Sequence, residues 1–293
     1  MATRMLIVFN PTAGARRRLA LLRALDLLRG LGMRPEIADT THRGHAGELA
    51  REAAARGVAI VVAAGGDGTI AEVAGGLAGS RAMLGILPLG TANVLAWELG
   101  LPQSPVRAAE VLARGHSVVL HPGLARFPDG GTRLFVQMLG AGFDAAVVHR
   151  LNLPLKRLIG RGAYVCQTLR ELPRYAFAPL RATLDGETVE AASVIVTKGR
   201  LYAGSYLLAP EANPCAPGFQ VAVFPNGGPF HALGYGAALP LGLLPRLKTV
   251  ELRRAATVRL EGAGIPAQAD GDAANSLPVE ITDAPVPMRV LVS

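Results

Sequence analysis

Lysine is nearly missing from this chain: Lys156, Lys198 and Lys248 are the only three among 30 basic residues. No G-x-x-x-x-G-K-[ST] phosphate loop occurs, and no G-x-G-x-x-G follows the first strand-like stretch, so the two commonest nucleotide grips are excluded. Cysteine is equally scarce. Cys166 and Cys215 are too few for a zinc site and too far apart to suggest a disulfide framework, and they read as buried or neutral thiols. Long apolar runs are lacking as well. No stretch of about 18 uninterrupted apolar residues exists, and the start "MATRMLIVFNPTAG" turns polar too soon for a signal peptide or a membrane span. The expected location is the cytoplasm, with peripheral contact at the inner face of the membrane left open.

What is present in quantity is arginine, and with it a net charge of +8 over 293 residues. Such a balance suits an anionic partner, whether nucleic acid, a phosphate-rich substrate or an acidic membrane. The single short cluster is Arg16–Arg18, and no basic stripe interleaved with aromatics accompanies it. Nucleic acid is therefore disfavoured. An anionic membrane surface remains a candidate partner, at about 1 kcal/mol for each suitably placed arginine. Half of the residues are hydrophobic, and the length suits two domains, each with its own core.

The first part alternates strand and helix signals: "RMLIVFN", "ARRRLALLRALDLLRGLG", "RPEIAD", "HAGELAREAAARG", "AIVVAAGG" and "AMLGILP". In the first helix Leu19, Leu22, Leu25, Leu28 and Leu31 are expected to form the apolar face. Strands separated by helices of this length make right-handed crossovers and a mainly parallel sheet, whose ligands bind beyond the strand C-termini. Beyond "LPQSPVRAAEVLARGH" the character becomes β-rich, with "LFVQMLGAG", "FQVAVF" and "VELRRAATVRLEG", and Asp185-Gly186 reads as a hairpin turn. The predicted boundaries are an α/β domain over residues 1–118, to which 286–293 return as a last strand, and a β-rich domain over 119–285. Neither an internal repeat nor a low-complexity tract is found.

Three loops converge on one chemistry. "FNPTAG", Phe9 to Gly14, follows the first strand; "GGDGT", Gly65 to Thr69, follows the run Ala59–Ala64; "LPLGTAN", Leu87 to Asn93, follows "AMLGI". Each puts glycine and a hydroxyl or amide at a strand-to-helix turn, where bare backbone N–H groups and a positive dipole end suit phosphate. "GTAN" also makes a good helix cap at Thr91 or Asn93. Asp67 is the odd residue, for a carboxylate repels phosphate unless a cation lies between them, which points to a metal-bound nucleotide. The nearest cations for such a site are Arg16, Arg17 and Arg18. Taken from residues alone, "ADGD", Ala269 to Asp272, is a solvated turn. Trp97 reads as core; the segment Phe230–Leu247 is apolar enough to meet a bilayer surface, but its glycines and prolines argue against a simple long helix and core packing is the preferred reading. His42 and His45 carry no assigned role.

"NPTAG", "GGDGT" with Glu72 three residues on, "GTAN" and the late "ADGD", in that order, resemble the catalytic-domain family of diacylglycerol kinases and bacterial lipid kinases, which includes sphingosine kinases. The Gly-Gly-Asp-Gly turn is also similar to that of NAD kinases and phosphofructokinases. The resemblance implies an N-terminal α/β nucleotide domain with a mainly parallel sheet, a C-terminal β-sandwich domain that takes the lipid, and ATP bound with Mg2+ in a cleft between them. Carried onto this chain, it assigns nucleotide contacts to Asn10, Gly14, Thr40, Gly65, Gly66, Asp67, Gly68, Thr69 and Thr91, with Asp67 facing the Mg2+ of Mg-ATP. Asp270 and Asp272 match the acidic pair of which one accepts the proton of the substrate hydroxyl.

The chain departs from the family pattern at three places. Val94 stands where an aspartate follows "GTAN", Asp272 stands where the family has a longer glutamate, and Pro217 stands where a loop acid holds a structural magnesium. The last implies that this second metal site is absent. The expected activity is an ATP-dependent lipid kinase acting on a hydroxyl of diacylglycerol or of a sphingoid- or ceramide-type lipid. Two alternatives stay open: a kinase of a soluble acceptor, and a nucleotide-binding regulatory protein with impaired catalysis. Neither the acceptor nor the oligomeric state is encoded in a short motif.

Overall fold

Two different kinds of sheet follow one another along the chain. The computed structural model describes residues 4–11, 15–151 and 162–293, and its contacts divide into two units, Met1–His121 with Pro285–Ser293 and Pro122–Ala284.

The first unit alternates β1 (Arg4–Phe9), α1 (Ala15–Gly30), β2 (Arg34–Asp39), α2 (His45–Ala55), β3 (Ile60–Gly65), α3 (Asp67–Leu77), β4 (Met83–Pro88), α4 (Val94–Glu98), α5 (Pro105–Arg114) and β5 (His116–Leu120). The first four strands are parallel in the order β2-β1-β3-β4. The chain's last strand, Met288–Val292, lies parallel beside β4, and β5 closes that edge antiparallel. Every residue of β3 is buried, because helices cover both faces. Ile60, Val62 and Ala64 join Met5, Ile7 and Phe9 beneath α1 and α5, while α2 and α3 pack on the opposite side. This two-sided burial explains a strand written as an unbroken apolar run.

The face of α1 differs from the one expected. Leu19 and Leu22 are exposed, and the side turned to the sheet is Leu21, Ala24, Leu25 and Leu28. A strict three-residue spacing advances only 300° per step, so it drifts around a helix of 3.6 residues per turn. The true stripe runs in steps of three, one and three, so that Leu21 and Leu25, and Ala24 and Leu28, stand four apart.

The second unit holds β6 (Gly123–Arg126), β7 (Thr132–Phe135), β8 (Met138–Gly142), α6 (Phe143–His149), β9 (Leu180–Leu184), β10 (Glu187–Ala191), β11 (Ser193–Thr197), β12 (Leu201–Tyr202), β13 (Tyr206–Leu207), β14 (Phe219–Phe224), β15 (Glu251–Ala255), β16 (Val258–Glu261), β17 (Pro266–Ala269), β18 (Asp272–Ser276) and β19 (Val279–Asp283), and the first unit's last strand is then β20. Two further helices span Gly162–Glu171 and Pro229–Ala238. Two six-stranded antiparallel sheets, β10-β9-β16-β19-β6-β7 and β15-β14-β11-β8-β17-β18, enclose a core that includes Phe135, Leu139, Val194, Val221, Leu260 and Ile281. This is a β-sandwich. In β14, Phe219, Val221 and Val223 enter that core, whereas Ala222 and Phe224 join a second cluster with Met138, Ile195 and Leu244. Cys166 and Cys215 both lie exposed rather than in either core.

Asp185-Gly186 is the two-residue turn between β9 and β10, and both residues have positive φ, 48° and 94°. The Asp185 carboxylate accepts the amides of Ala256 and Thr257 and the Thr257 hydroxyl. These amides hold its pKa below the ordinary aspartate value. The hairpin is thereby tied to the turn between β15 and β16.

One charge is sealed within the unit. The Lys198 side chain is fully buried, and its ammonium donates to the carbonyls of Ala216 and Gly218 at 3.1 and 2.6 Å and to Asp283 Oδ1 at 2.7 Å. It also lies 4.7 Å from the centre of the Phe219 ring, and the Gly218 amide donates to Asp283 Oδ2. Burial pulls the Lys198 pKa down while Asp283 opposes the shift. The loop at Pro217 therefore surrounds a side-chain cation, an arrangement that does not fit a metal ion in the same place. Removing one partner of a buried pair leaves the other uncompensated. Lys198→Met is expected to destabilise the protein by about 3–5 kcal/mol, read as a lower urea midpoint; a midpoint equal to the parent's would disprove the pairing.

Candidate active site

In the strand order β2-β1-β3, β1 and β3 are parallel neighbours, so the loops after them leave the same end of the sheet, beyond the strand C-termini where ligands of such sheets bind. Asn10 follows β1 and Gly66–Thr69 follow β3, which places them side by side there. Asn10 Nδ2 is 3.4 Å from Thr69 Oγ1, and the Asn10 amide donates to Ala64. Gly14 and the side chain of Arg16 lie outside the described residues. Thr40, at the end of β2, is joined to β1 through its amide and the Phe9 carbonyl at 2.8 Å. Thr91 is exposed, with Arg17 Nη2 at 3.5 Å from its hydroxyl.

Asp67 has a structural partner that the glycines around it did not disclose. Its Oδ2 accepts the Asn93 amide at 3.0 Å and its Oδ1 accepts the Val94 amide at 2.6 Å. Asn93 stands at the cap position of α4 with a φ of 47°, but its side chain turns back to Gly90, accepting from the amide and donating to the carbonyl. The helix is therefore capped from α3. A carboxylate at a helix start satisfies orphan N–H groups and meets the positive dipole end. Close contact of the two loops requires glycine on both sides. A Cβ on Gly90 would collide with Gly66 Cα, and one on Gly66 would lie 3.2 Å from Gly90 Cα.

Glu72, one turn further along α3, does the same for the other neighbour. Its two oxygens accept the amides of Gly44 and Ala46 at 2.9 and 3.2 Å, at the start of α2. Three helix starts are thus drawn together beyond the C-terminal ends of the parallel strands. His42, His45 and Glu48 stand nearby with possible ligand atoms within 4.8 Å of one another. The Thr41 amide donates to His45 Nδ1, however, which leaves the proton of the neutral ring on Nε2. That tautomer has no lone pair to offer a cation there. Trp97, expected in the core, is 44% exposed on α4; the buried residues of that helix are Val94, Leu95, Ala96 and Glu98.

In the second unit "ADGD" is a hairpin turn between β17 and β18, but not a solvated one. Asp270 and Gly271 have φ of 50° and 79°, and Asp270 is buried. Its carboxylate accepts three amides, those of Val136, Gln137 and Met138, at 2.8, 2.8 and 2.9 Å. The turn is thereby pinned to the segment joining β7 and β8. Asp272 is less enclosed, its side chain 29% exposed with Arg133 Nη2 at 3.4 Å.

Gln268 connects this turn to a half-buried polar group that sequence reasoning missed. It accepts the Gly271 amide at 2.8 Å and donates to Asp144 Oδ2 at 2.9 Å. Asp144 also accepts the Tyr202 hydroxyl. Burial pushes the Asp144 carboxyl pKa up, with the two hydrogen bonds opposing; burial and the Asp144 charge push the Tyr202 pKa well up. The available signal was weak, a lone aspartate in "GAGFDAAV" after an apolar strand.

Comparison with known proteins gives the class, a kinase built from two family domains. The diacylglycerol kinase catalytic domain model matches residues 4–125, and the YegS C-terminal NAD kinase beta sandwich-like domain model matches residues 137–292. The chain belongs to this diacylglycerol kinase family. It is 33% identical over 247 residues to a diacylglycerol kinase of Mycobacterium tuberculosis, covering 83% of this chain and 80% of that one. With a Pseudomonas putida protein named "Probable lipid kinase YegS-like" the identity is 32%, over 69% and 68% of the two chains. In fold it is similar to a diacylglycerol kinase structure from Bacillus anthracis, with a TM-score of 0.78 at 22% identity over 99% and 97% of the chains.

Two outcomes test the geometry. Glu72→Ala is expected to cost about 1–2 kcal/mol through loss of the α2 cap, seen as a lowered thermal midpoint; an unaltered midpoint would show that Glu72 holds nothing. Asp144 has a folded pKa above its ordinary 3.8, so the folded state holds its proton longer and stability falls as pH rises through the raised value. Asp144→Asn is expected to flatten that decline in melting temperature, and an identical pH profile would refute the assignment.

Proposed function

We propose that the chain transfers the γ-phosphoryl group of ATP to a hydroxyl of a lipid such as diacylglycerol or a sphingoid- or ceramide-type lipid. The observation that carries the reading is the meeting of the loops after β1, β3 and β4 at the start of α3, where Asn10 approaches Thr69, Gly66 touches Gly90, and Asp67 holds the amides of Asn93 and Val94. The amides of the first helical turn have no partners within the helix and point past its end, which suits phosphate oxygens. The family and the names of its members support a kinase acting on lipid.

Each residue has a role that follows from its chemistry. The amides of Gly66, Gly68 and Thr69, with the hydroxyls of Thr69 and Thr91 and the side-chain amide of Asn10, would hold the phosphates. Asp67 is held in a fixed orientation by the amides of Asn93 and Val94, and one carboxylate beside substrate phosphate is a usual setting for Mg2+. Asp67 would therefore hold the magnesium of Mg-ATP, which when bound neutralises charge on the phosphates. On the acceptor side, Asp272 would take the proton of the lipid hydroxyl as its oxygen bonds to the γ-phosphorus and the bond to ADP breaks. Asp270, with three amides on its oxygens, would position the turn.

Turnover should be measured with ATP, Mg2+ and detergent-dispersed diacylglycerol, sphingosine, ceramide and phosphatidylglycerol, alongside water-soluble polyols. Asp272→Asn is expected to lower kcat by about 10²–10⁴ while ATP affinity is kept. A variant as active as the parent would remove Asp272 from the chemistry. ATP binding by the parent with no transfer to any acceptor would favour a regulatory role, and transfer to a polyol without detergent would favour a soluble substrate.

A further inference from the structure

The helix Pro229–Ala238 has a composition at odds with its surroundings. Its residues, "PFHALGYGAA", carry no formal charge with His231 neutral, and a helix apolar on all sides is ordinarily buried. Here Ala238 alone is buried. Phe230 is 88% exposed, and the turn that follows exposes Leu241 at 70%; Leu233 and Leu243 are exposed beside them. The expectation of core packing for Phe230–Leu247 is corrected for these side chains: β14 and the residues beneath it are already covered by Ala238, Leu244 and Val250.

The platform is anchored. The Tyr235 ring meets Phe224 edge-on at 5.0 Å, and its hydroxyl donates to the Thr249 carbonyl at 3.1 Å. That bond ties the helix to the segment carrying the exposed Arg246 and Lys248. Charge of the other sign is missing, for no aspartate or glutamate occurs between Glu211 and Glu251. Apolar side chains that face outward, with exposed Arg246 and Lys248 on the adjoining segment, complement a layer with anionic headgroups above hydrocarbon. A second copy of the same chain would bring like charges together, at a protein net charge of +8.

We infer that this surface docks on an anionic phospholipid bilayer, with Phe230 and Leu241 entering the headgroup–acyl boundary and Arg246 and Lys248 meeting the phosphates. The inference goes beyond the proposed activity: it says where the chain meets the membrane, and it holds whichever lipid is the acceptor.

Sedimentation of the full chain with vesicles tests it, using phosphatidylcholine alone and phosphatidylcholine mixed with phosphatidylglycerol. The parent is expected to favour the anionic vesicles and to be released by salt. A Phe230→Ser, Leu241→Ser double variant should lose roughly tenfold or more of its binding, and Arg246→Gln, Lys248→Gln should lose the preference for anionic lipid. Phe230→Trp should add blue-shifted emission with vesicles beyond that of Trp97 in the parent. Binding by the double variant equal to the parent's overturns the proposal, as does an emission of the Phe230→Trp variant that vesicles shift no further than the parent's. A parent dimer that the double variant turns to monomer, with vesicle binding unaltered, shows a second copy of the chain on this face and also overturns it. Turnover on detergent-dispersed lipid separates this surface from the kinase reading: the double variant should keep it, and its absence in the parent would sink the kinase reading while leaving vesicle binding to be judged alone.

Discussion

Two carboxylates on one helix organise the first unit. Asp67 and Glu72 each give both oxygens to backbone amides at the start of a neighbouring helix, α4 and α2. Hydrogen bonds to a charged group contribute about 1.5–3 kcal/mol each, and the helix dipoles add to them. Four such bonds converge on α3, and they determine where the loops after β2 and β4 lie. The Gly66–Gly90 contact and the approach of Asn10 to Thr69 depend on that placement. On the proposed reading, a chain without a phosphate-loop lysine presents backbone amides and hydroxyls to phosphate in a fixed arrangement, and α3 supplies the fixing.

The second unit uses the same device. Asp270 accepts three consecutive amides and so holds a turn whose first two residues have positive φ. A non-glycine residue in that region costs about a kcal/mol or more, which three charge-assisted bonds outweigh. Gln268 then fixes the Gly271 amide and passes the constraint to Asp144 and Tyr202. Asp272 follows directly on this braced turn with Arg133 beside it. Lys198 and Asp283 brace the loop at Pro217 in a parallel way, with a buried ammonium as the centre.

The architecture was legible because hydrophobic pattern reports burial directly. "AIVVAAGG" marks a strand covered on both faces, and "LDGETV" marks a hairpin whose turn needs positive φ at Asp185 and Gly186. The face of α1 was misread because leucine spacing alone does not separate a three-residue repeat from a 3.6-residue one over so few turns. Trp97 and Phe230 were misread for a related reason. Composition says that a side chain is apolar, and only the packed neighbours say whether space remains for it.

Among the acids, sequence showed that a carboxylate surrounded by glycines must have a partner, without showing which kind. A row of N–H dipoles at a helix start and a metal ion both present positive potential to an oxygen, so "GGDGT" is compatible with either. Geometry resolves part of this at Asp67, where amides at 2.6 and 3.0 Å engage both oxygens. The cap and a cation carried by phosphate are not rivals, because a carboxylate held in place by two amides keeps a defined orientation toward the third group it meets. Glu72 carried no such hint. Its sequence neighbours are ordinary helix formers, and its role exists only because the tertiary fold brings the start of α2 within 2.9 Å.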